Sequence, residues 1–180
     1  MKVRVSGPKS VAILFSRKLA ARHVPSQDLV INGEAVPWKN VVRYLGMQLD
    51  KRLTFGPHVQ DLFSRTEKAV RCLYPLINRR SQLQVHNRLL MFWTIYRPTF
   101  SYGALVFSRC AATHRRKLQV HQNRILKMML DKSRRFSTIR LHSLAGVSQV
   151  EEYLTGLSEK FSLSCQNNVN RDIVDLNSNG

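Results

Sequence analysis

Val42-Arg43-Tyr44-Leu45-Gly46-Met47-Gln48-Leu49-Asp50-Lys51-Arg52-Leu53-Thr54-Phe55 is the stretch at which the pattern of this chain changes. Before it, short apolar runs alternate with turn residues. After it, apolar residues recur every three or four positions, the period of helices. Upstream, Val11-Ala12-Ile13-Leu14-Phe15 follows the turn signal Gly7-Pro8 and reads as a buried strand. Ser16 to Gln27 reads as a basic, polar loop around His23 and Pro25. Leu29-Val30-Ile31 and Glu34-Ala35-Val36 flank Asn32-Gly33, a pair that supplies the positive φ angles of a type I′ hairpin turn. Val41 to Leu49 reads as a further strand, with Gly46 marking a bulge or a close backbone approach. Four short strands with tight turns predict a small antiparallel sheet, marginal without helices to cover it.

Downstream, Pro57 suits the first turn of a helix, with Thr54 or Gly56 as its cap. Val59, Leu62, Phe63, Thr66, Val70, Leu73 and Ile77 then share one helical face. Ser81 with Gln84 reads as a capping box for a second helix, whose face is Val85, Leu89, Phe92, Trp93 and Tyr96 until Pro98 interrupts it. Phe100 to Phe107 is a second apolar run, a helical turn or short helix. Thr113 can cap a third long helix carrying Leu118, Ile125, Leu126 and Met129 on one side. Ser137-Thr138 with Leu141 and Leu144 predicts a short helix stopped by Gly146, and Ser148 with Glu151 a capping box before the last helix. The Asn/Asp/Ser-rich end predicts a disordered tail.

The expected architecture is therefore α+β. A small antiparallel β element occupies residues 1–53, a mostly α-helical bundle residues 54–165, and a tail residues 166–180. Leu62, Phe63, Val70, Leu73, Leu89, Phe92, Trp93, Leu126 and Met129 are expected to be buried together.

Charge narrows the function. With 29 Lys+Arg against 11 Asp+Glu, the formal net charge is +18, which repels itself unless a polyanion neutralises it. Twelve Lys/Arg and no carboxylate fall between Glu67 and Asp131, so the positive field is regional. The basic set Arg115, Arg116, Lys117, Arg124 and Lys127 is the best candidate for phosphate contacts, since cations on helices give sequence-independent affinity by releasing counterions. Arg79-Arg80 and Arg134-Arg135 are further candidates; for the first, a helix C-terminus that favours cations is an equal explanation. Tyr44, Tyr74, Trp93, Tyr96 and Tyr102 can stack on bases, although Trp93 and Tyr96 share a predicted core face.

Chemistry of other kinds finds little support. Glu151-Glu152 is the only adjacent acidic pair, and no Asp-Asp or Asp-x-Asp pair occurs. There is no Gly-x-Ser-x-Gly, and none of the six histidines is spaced to pair with a Cys or Ser. Cys72, Cys110 and Cys165 form neither a zinc-ligand spacing nor a disulfide framework, and a reduced, intracellular setting fits them best. No apolar run of about 18 residues is present, so no membrane partner is expected.

Taken in order, several short motifs resemble those of the reverse transcriptases of jockey-like non-LTR (LINE) retrotransposons. Ser6-Gly7-Pro8-Lys9-Ser10 before Val11–Phe15 is similar to the late palm segment Asn-x-x-Lys-Thr, with Ser6 and Ser10 departing from the family's Asn and Thr. Val36-Pro37-Trp38-Lys39 before Tyr44-Leu45-Gly46 resembles the hairpin that grips the primer 3′ end, and Pro57-His58-Val59 the start of the thumb. Tyr96-Arg97-Pro98, Tyr102-Gly103 and Gln122-Asn123-Arg124-Ile125-Leu126 resemble signatures in and just after the thumb.

The resemblance implies a primer-grip-like role for Tyr44, Leu45 and Gly46, and makes Lys9 the palm lysine. It also implies that the catalytic aspartates, including the Ala-Asp-Asp turn, lie upstream. The expectation is a C-terminal fragment, inactive alone, that binds an RNA/DNA template–primer duplex beside the upstream palm and fingers of its parent polymerase. Mg2+ would belong to that parent, with no cofactor in this chain. The alternative is a stand-alone basic nucleic-acid-binding module without a polymerase role.

Overall fold

The switch in period at Thr54 is also the switch in architecture. A computed structural model describes residues 5–16, 29–108 and 110–167. They form two compact units, the first ending at Asp61 and the second beginning at Leu62. The fold is α+β, small antiparallel hairpins followed by helices.

In the first unit, β1 (Leu29–Ile31) pairs antiparallel with β2 (Glu34–Val36), and Asn32 (φ 53°) and Gly33 (φ 82°) make the expected turn between them. The strand read over Val41–Leu49 is instead a second hairpin. β3 (Val41–Tyr44) turns at Leu45 (φ 44°) and Gly46 (φ 77°) into β4 (Met47–Asp50). Gly46 thus closes a two-residue turn and marks no bulge.

The two hairpins form two separate sheets and not a single one. Val11–Phe15 is not a buried strand either. It runs alongside Pro37–Lys39 through one isolated parallel bridge, Ala12 to Trp38, leaving Val11, Leu14 and Phe15 exposed. A single 3-10 turn, Gly7–Lys9, precedes it. Gly7 is buried so tightly that an added Cβ would lie 2.7 Å from Glu34 Cβ and 3.1 Å from the Ile31 carbonyl oxygen. Most of the predicted basic loop lies outside the described residues.

A short junction leads into α1 (Gly56–Ile77), with Pro57 in its first turn as expected. Asn78 closes α1 by donating its side-chain amide to the carbonyls of Tyr74 (2.8 Å) and Pro75 (3.2 Å). α2 is short, Val85–Met91, and begins after Gln84 without a side-chain cap. The Ser81 hydroxyl accepts from Leu83 N at 3.1 Å, so the predicted capping box is a local turn.

Phe92–Tyr96 is then a π-helical turn, in which Arg97 N–H donates to the Phe92 carbonyl five residues back. The cause is Pro98: it has no N–H for the carbonyl four residues earlier, and its ring crowds that carbonyl, so the chain takes a wider turn first. α3 (Arg97–Ser101) and α4 (Ala104–Phe107) follow, joined at Gly103 with φ 71°. α5 (Ala112–Met129) is the long basic helix, with Ala111 as N-cap and Thr113 already inside its first turn. α6 (Thr138–Ala145) ends at Gly146 with φ 61°, as its sequence predicts. α7 spans Val150–Gln166, and residues 168–180, most of the predicted tail, lie outside the described residues.

The helices of the second unit pack around Val70, Ile77, Phe92, Tyr96, Ile125, Leu126, Met129 and Leu141. α5 touches α2, α6 and α7 and is the element on which this unit is assembled. Of the predicted core, Leu62, Val70, Phe92, Leu126 and Met129 are buried, while Phe63, Leu73 and Leu89 are half-buried. Trp93 is 43% exposed: the π turn advances the phase and carries it off the core face.

Candidate nucleic-acid interface

α5 has two polar faces with different work. Stepping about 100° per residue, Arg116, Lys117, Val120, Arg124 and Lys127 fall on one side and Arg115 on the other. Arg116, Lys117 and Arg124 are exposed and Lys127 half-exposed. Arg115 is turned inward: its Nε lies 2.9 Å from Glu151 Oε2, and it donates to the Cys110 carbonyl at 2.6 Å. The five cations therefore divide into four on a solvent face and one that ties α5 to α7.

The inward face holds the helices in register. Gln122 is fully buried and donates to the Ser148 carbonyl at 2.9 Å. Its Oε1 accepts from Arg97 at 3.2 Å, and Arg97 also reaches the Ser148 hydroxyl at 3.2 Å. The Arg97 guanidinium lies 3.4 Å from the centre of the Tyr153 ring. Burial pulls its pKa below the usual value, against the opposing influence of Tyr153 and Tyr96. Gln119 accepts from Val150 N at 2.7 Å, capping α7 from a neighbouring helix. The predicted Ser148/Glu151 capping box does not form, because Ser148 serves Arg97 and Glu151 serves Arg115. His142 Nδ1–H donates to the Val147 carbonyl at 2.7 Å, and its Nε2 lies 2.8 Å from Asn123 Oδ1.

A second chain of contacts runs to the solvent face. Tyr96 O–H donates to His121 Nδ1 at 3.0 Å, and His121 Nε2–H donates to Glu67 at 2.8 Å. Glu67 also pairs with Arg124. His121 is held below its ordinary pKa, first by burial, with Glu67 opposing and Arg124 reinforcing the shift. Burial drives the Tyr96 phenol well above its usual value. Arg97 thus meets Gln122 directly, and Tyr96 reaches Arg124 through His121 and Glu67. Spacing alone gave no sign of it, since residues 96–97 and 122–124 meet only when α5 lies beside the π turn.

Beside the cationic face, a groove of about 760 Å3 opens between the end of α1, α5 and the loop after it. Arg79, Arg124, Lys127, Lys132 and Arg134 line it, with Tyr74, Asn78 and Asn123. Both dibasic pairs read from the sequence contribute one arginine. Lys132, two residues before Arg134-Arg135, was not singled out from the sequence.

The remaining candidates are in the first unit. Tyr44, Leu45 and Gly46 form the tip of the β3–β4 hairpin, with Tyr44 63% and Leu45 73% exposed. Lys9 is exposed at the end of the 3-10 turn. Among the described residues, no three His, Cys, Asp or Glu side chains gather closely enough to hold a metal ion. None of their helices is long and apolar enough to cross a membrane.

Known proteins give the fold and its charge a context. The chain is 31% identical over 127 residues to the probable RNA-directed DNA polymerase from transposon X-element of Drosophila melanogaster, matching 71% of this chain and 14% of that protein. It is 27% identical over 160 residues to the corresponding transposon BS protein of the same species, covering 89% and 17% of the two chains. With the RNA-directed DNA polymerase from mobile element jockey, also of Drosophila melanogaster, identity is 24% over 125 residues, covering 69% and 13%. No family model matches the chain. No solved structure matches it significantly.

These relatives define the class as RNA-directed DNA polymerases of mobile elements. By sequence this chain belongs, within that class, to the jockey-like non-LTR retrotransposon reverse transcriptases, and it spans about one seventh of the length of the relatives it matches.

Proposed function

We propose that this chain is the late palm and thumb of a retrotransposon reverse transcriptase and holds the template–primer duplex. The observation that carries the reading is the solvent face of α5, where Arg116, Lys117, Arg124 and Lys127 lie together and, among the described residues, only Arg124 has a carboxylate partner, Glu67 of α1. Cations so spread contact phosphates along a backbone and read duplex shape, not sequence. The names of the relatives, all RNA-directed DNA polymerases, support nucleic acid as the partner.

The exposed β3–β4 tip supports a primer-grip role for Tyr44, Leu45 and Gly46, since a tight two-residue turn presents its side chains rigidly. Lys9 is the palm lysine on this reading. Polymerisation by two metal ions requires clustered carboxylates, and on this reading that chemistry belongs to the upstream palm and fingers of the parent protein.

The test is binding to a blunt duplex and to a recessed primer–template of equal length. Tyr44→Ala weakens the recessed substrate more than the blunt one if the hairpin meets the primer end. Equal losses on both would leave a basic duplex-binding module without a primer grip.

A further inference from the structure

Arg79 and Arg134 belong to dibasic pairs far apart in the chain, yet they line the same groove. Arg79 is already paired with Asp131, and Arg124 with Glu67. Lys127, Lys132 and Arg134 have no carboxylate partner among the described residues. Lys127 Nζ donates to the Arg134 carbonyl at 2.7 Å, which ties the loop to α5. An ordinary solvated basic face would be convex and polar throughout. This one is concave and carries apolar surface: Tyr74 is 55% and Val120 62% exposed, and Met128 completes the lining.

We propose that this groove binds single-stranded nucleic acid, one or two nucleotides at a time, with Tyr74 stacked on a base and Lys127, Lys132 and Arg134 on the phosphates. The inference rests on the reading that the chain handles nucleic acid, and adds a site for unpaired strand that adjoins the duplex-binding face and shares Arg124 and Lys127 with it. Size favours it. A concavity of about 760 Å3 is in the range that encloses one small ligand. A duplex meets even a small protein module over roughly 600–1,000 Å2 of open surface. Chemistry favours it too, because stacking needs a base whose face is uncovered, as in a single strand. Asn78 and Asn123 in the lining are engaged by Tyr74, Pro75, Arg80, Gln119 and His142, which leaves cations and aromatic surface for the ligand, so affinity is general over sequence.

The test uses the full chain and fluorescence anisotropy with labelled oligo-U, oligo-dT and a blunt duplex of the same length. Tyr74→Ala is expected to weaken both single strands roughly tenfold and leave the duplex unchanged, while Tyr74→Phe retains wild-type affinity. Lys132→Gln with Arg134→Gln is expected to lower single-strand affinity and flatten its salt dependence. Loss on oligo-U alone would narrow the ligand to RNA and still support the site. Equal loss on strand and duplex, or no loss on either strand, overturns it. Arg116→Gln with Lys117→Gln, both outside the groove, separates the two readings. If that pair leaves duplex binding intact while Tyr74→Ala still acts, the duplex face is refuted and the groove stands.

Discussion

The Asp50 carboxylate accepts the N–H of Phe55 at 2.8 Å, joining the end of the β3–β4 hairpin to the residue before α1. The same carboxylate accepts from Thr54 N, Thr54 Oγ1 and Arg52 N. Between them the backbone passes through Leu53 (φ 53°) and Phe55 (φ 58°), a left-handed conformation that costs roughly 1 kcal/mol or more at each non-glycine residue. One acidic side chain thus holds a strained junction at the point where the sequence changes period.

Asp50→Asn places an amide donor against these N–H groups and is expected to lose on the order of 2–3 kcal/mol. The loss also has a pH signature. Burial raises the Asp50 pKa, but the hydrogen bonds from Thr54, Phe55 and Arg52 outweigh it and the net direction is downward from 3.8. The stabilisation is therefore complete above about pH 4 and disappears as pH falls through the lower, folded value. Urea titrations from pH 7 to pH 2.5 should show wild type and Asp50→Asn converging only at the acid end. A constant gap over that range would refute the role.

Phe92 and Trp93 give a second test. Their rings meet edge-on at 5.6 Å, but Phe92 is fully buried and Trp93 is 43% exposed. Phe92→Ala should cost about 3–5 kcal/mol. Trp93→Ala should cost distinctly less, losing partial burial, the edge-on contact with Phe92 and a cation–π contact to Arg97 at 5.7 Å. Comparable losses in chemical denaturation would mean that Trp93 is packed in the core.

His121 predicts a pH dependence of the second unit. Its folded pKa lies below 6.5, chiefly through burial, so the unfolded chain takes up the proton first. Stability is full above about pH 6.5 and falls as pH drops toward the folded value. The difference in melting temperature between pH 7.5 and pH 5 should shrink in His121→Gln. An unchanged difference would assign the acid sensitivity to another group.

How much was legible in the sequence follows from what each signal measures. The Asn32-Gly33 turn, the Pro57 helix start and the Gly146 stop were readable because each depends on local backbone geometry. The second hairpin was not, because Leu45 adopts positive φ without the usual Asn or Gly. The exposure of Trp93 was hidden because a fixed helical period cannot register a π turn. The predicted capping boxes failed for different reasons: Ser81 made a local turn with Leu83, whereas Ser148 and Glu151 were each claimed by an arginine on another helix. The basic face of α5 was visible as composition, but the separation of Arg115 from Arg116, Lys117, Arg124 and Lys127 requires the partners. The groove depended on contact between segments that no periodicity connects.

That separation makes the last prediction. Each phosphate neutralised on B-DNA steepens the dependence of log affinity on log salt by roughly 0.9. Arg116→Gln with Arg124→Gln should therefore lower affinity on every duplex sequence and flatten the slope by up to about 1.8 if both contact phosphates. Arg115→Gln should behave differently. Its guanidinium is occupied by Glu151 and the Cys110 carbonyl, so its removal loosens α5 from α7 and lowers the melting temperature. The salt slope should stay as it was. Duplex titrations at four salt concentrations, with thermal melts of each variant, distinguish the outcomes. A slope flattened equally by Arg115→Gln would show that this arginine leaves Glu151 to meet the phosphate backbone, and that the inward and outward faces of α5 exchange roles on binding.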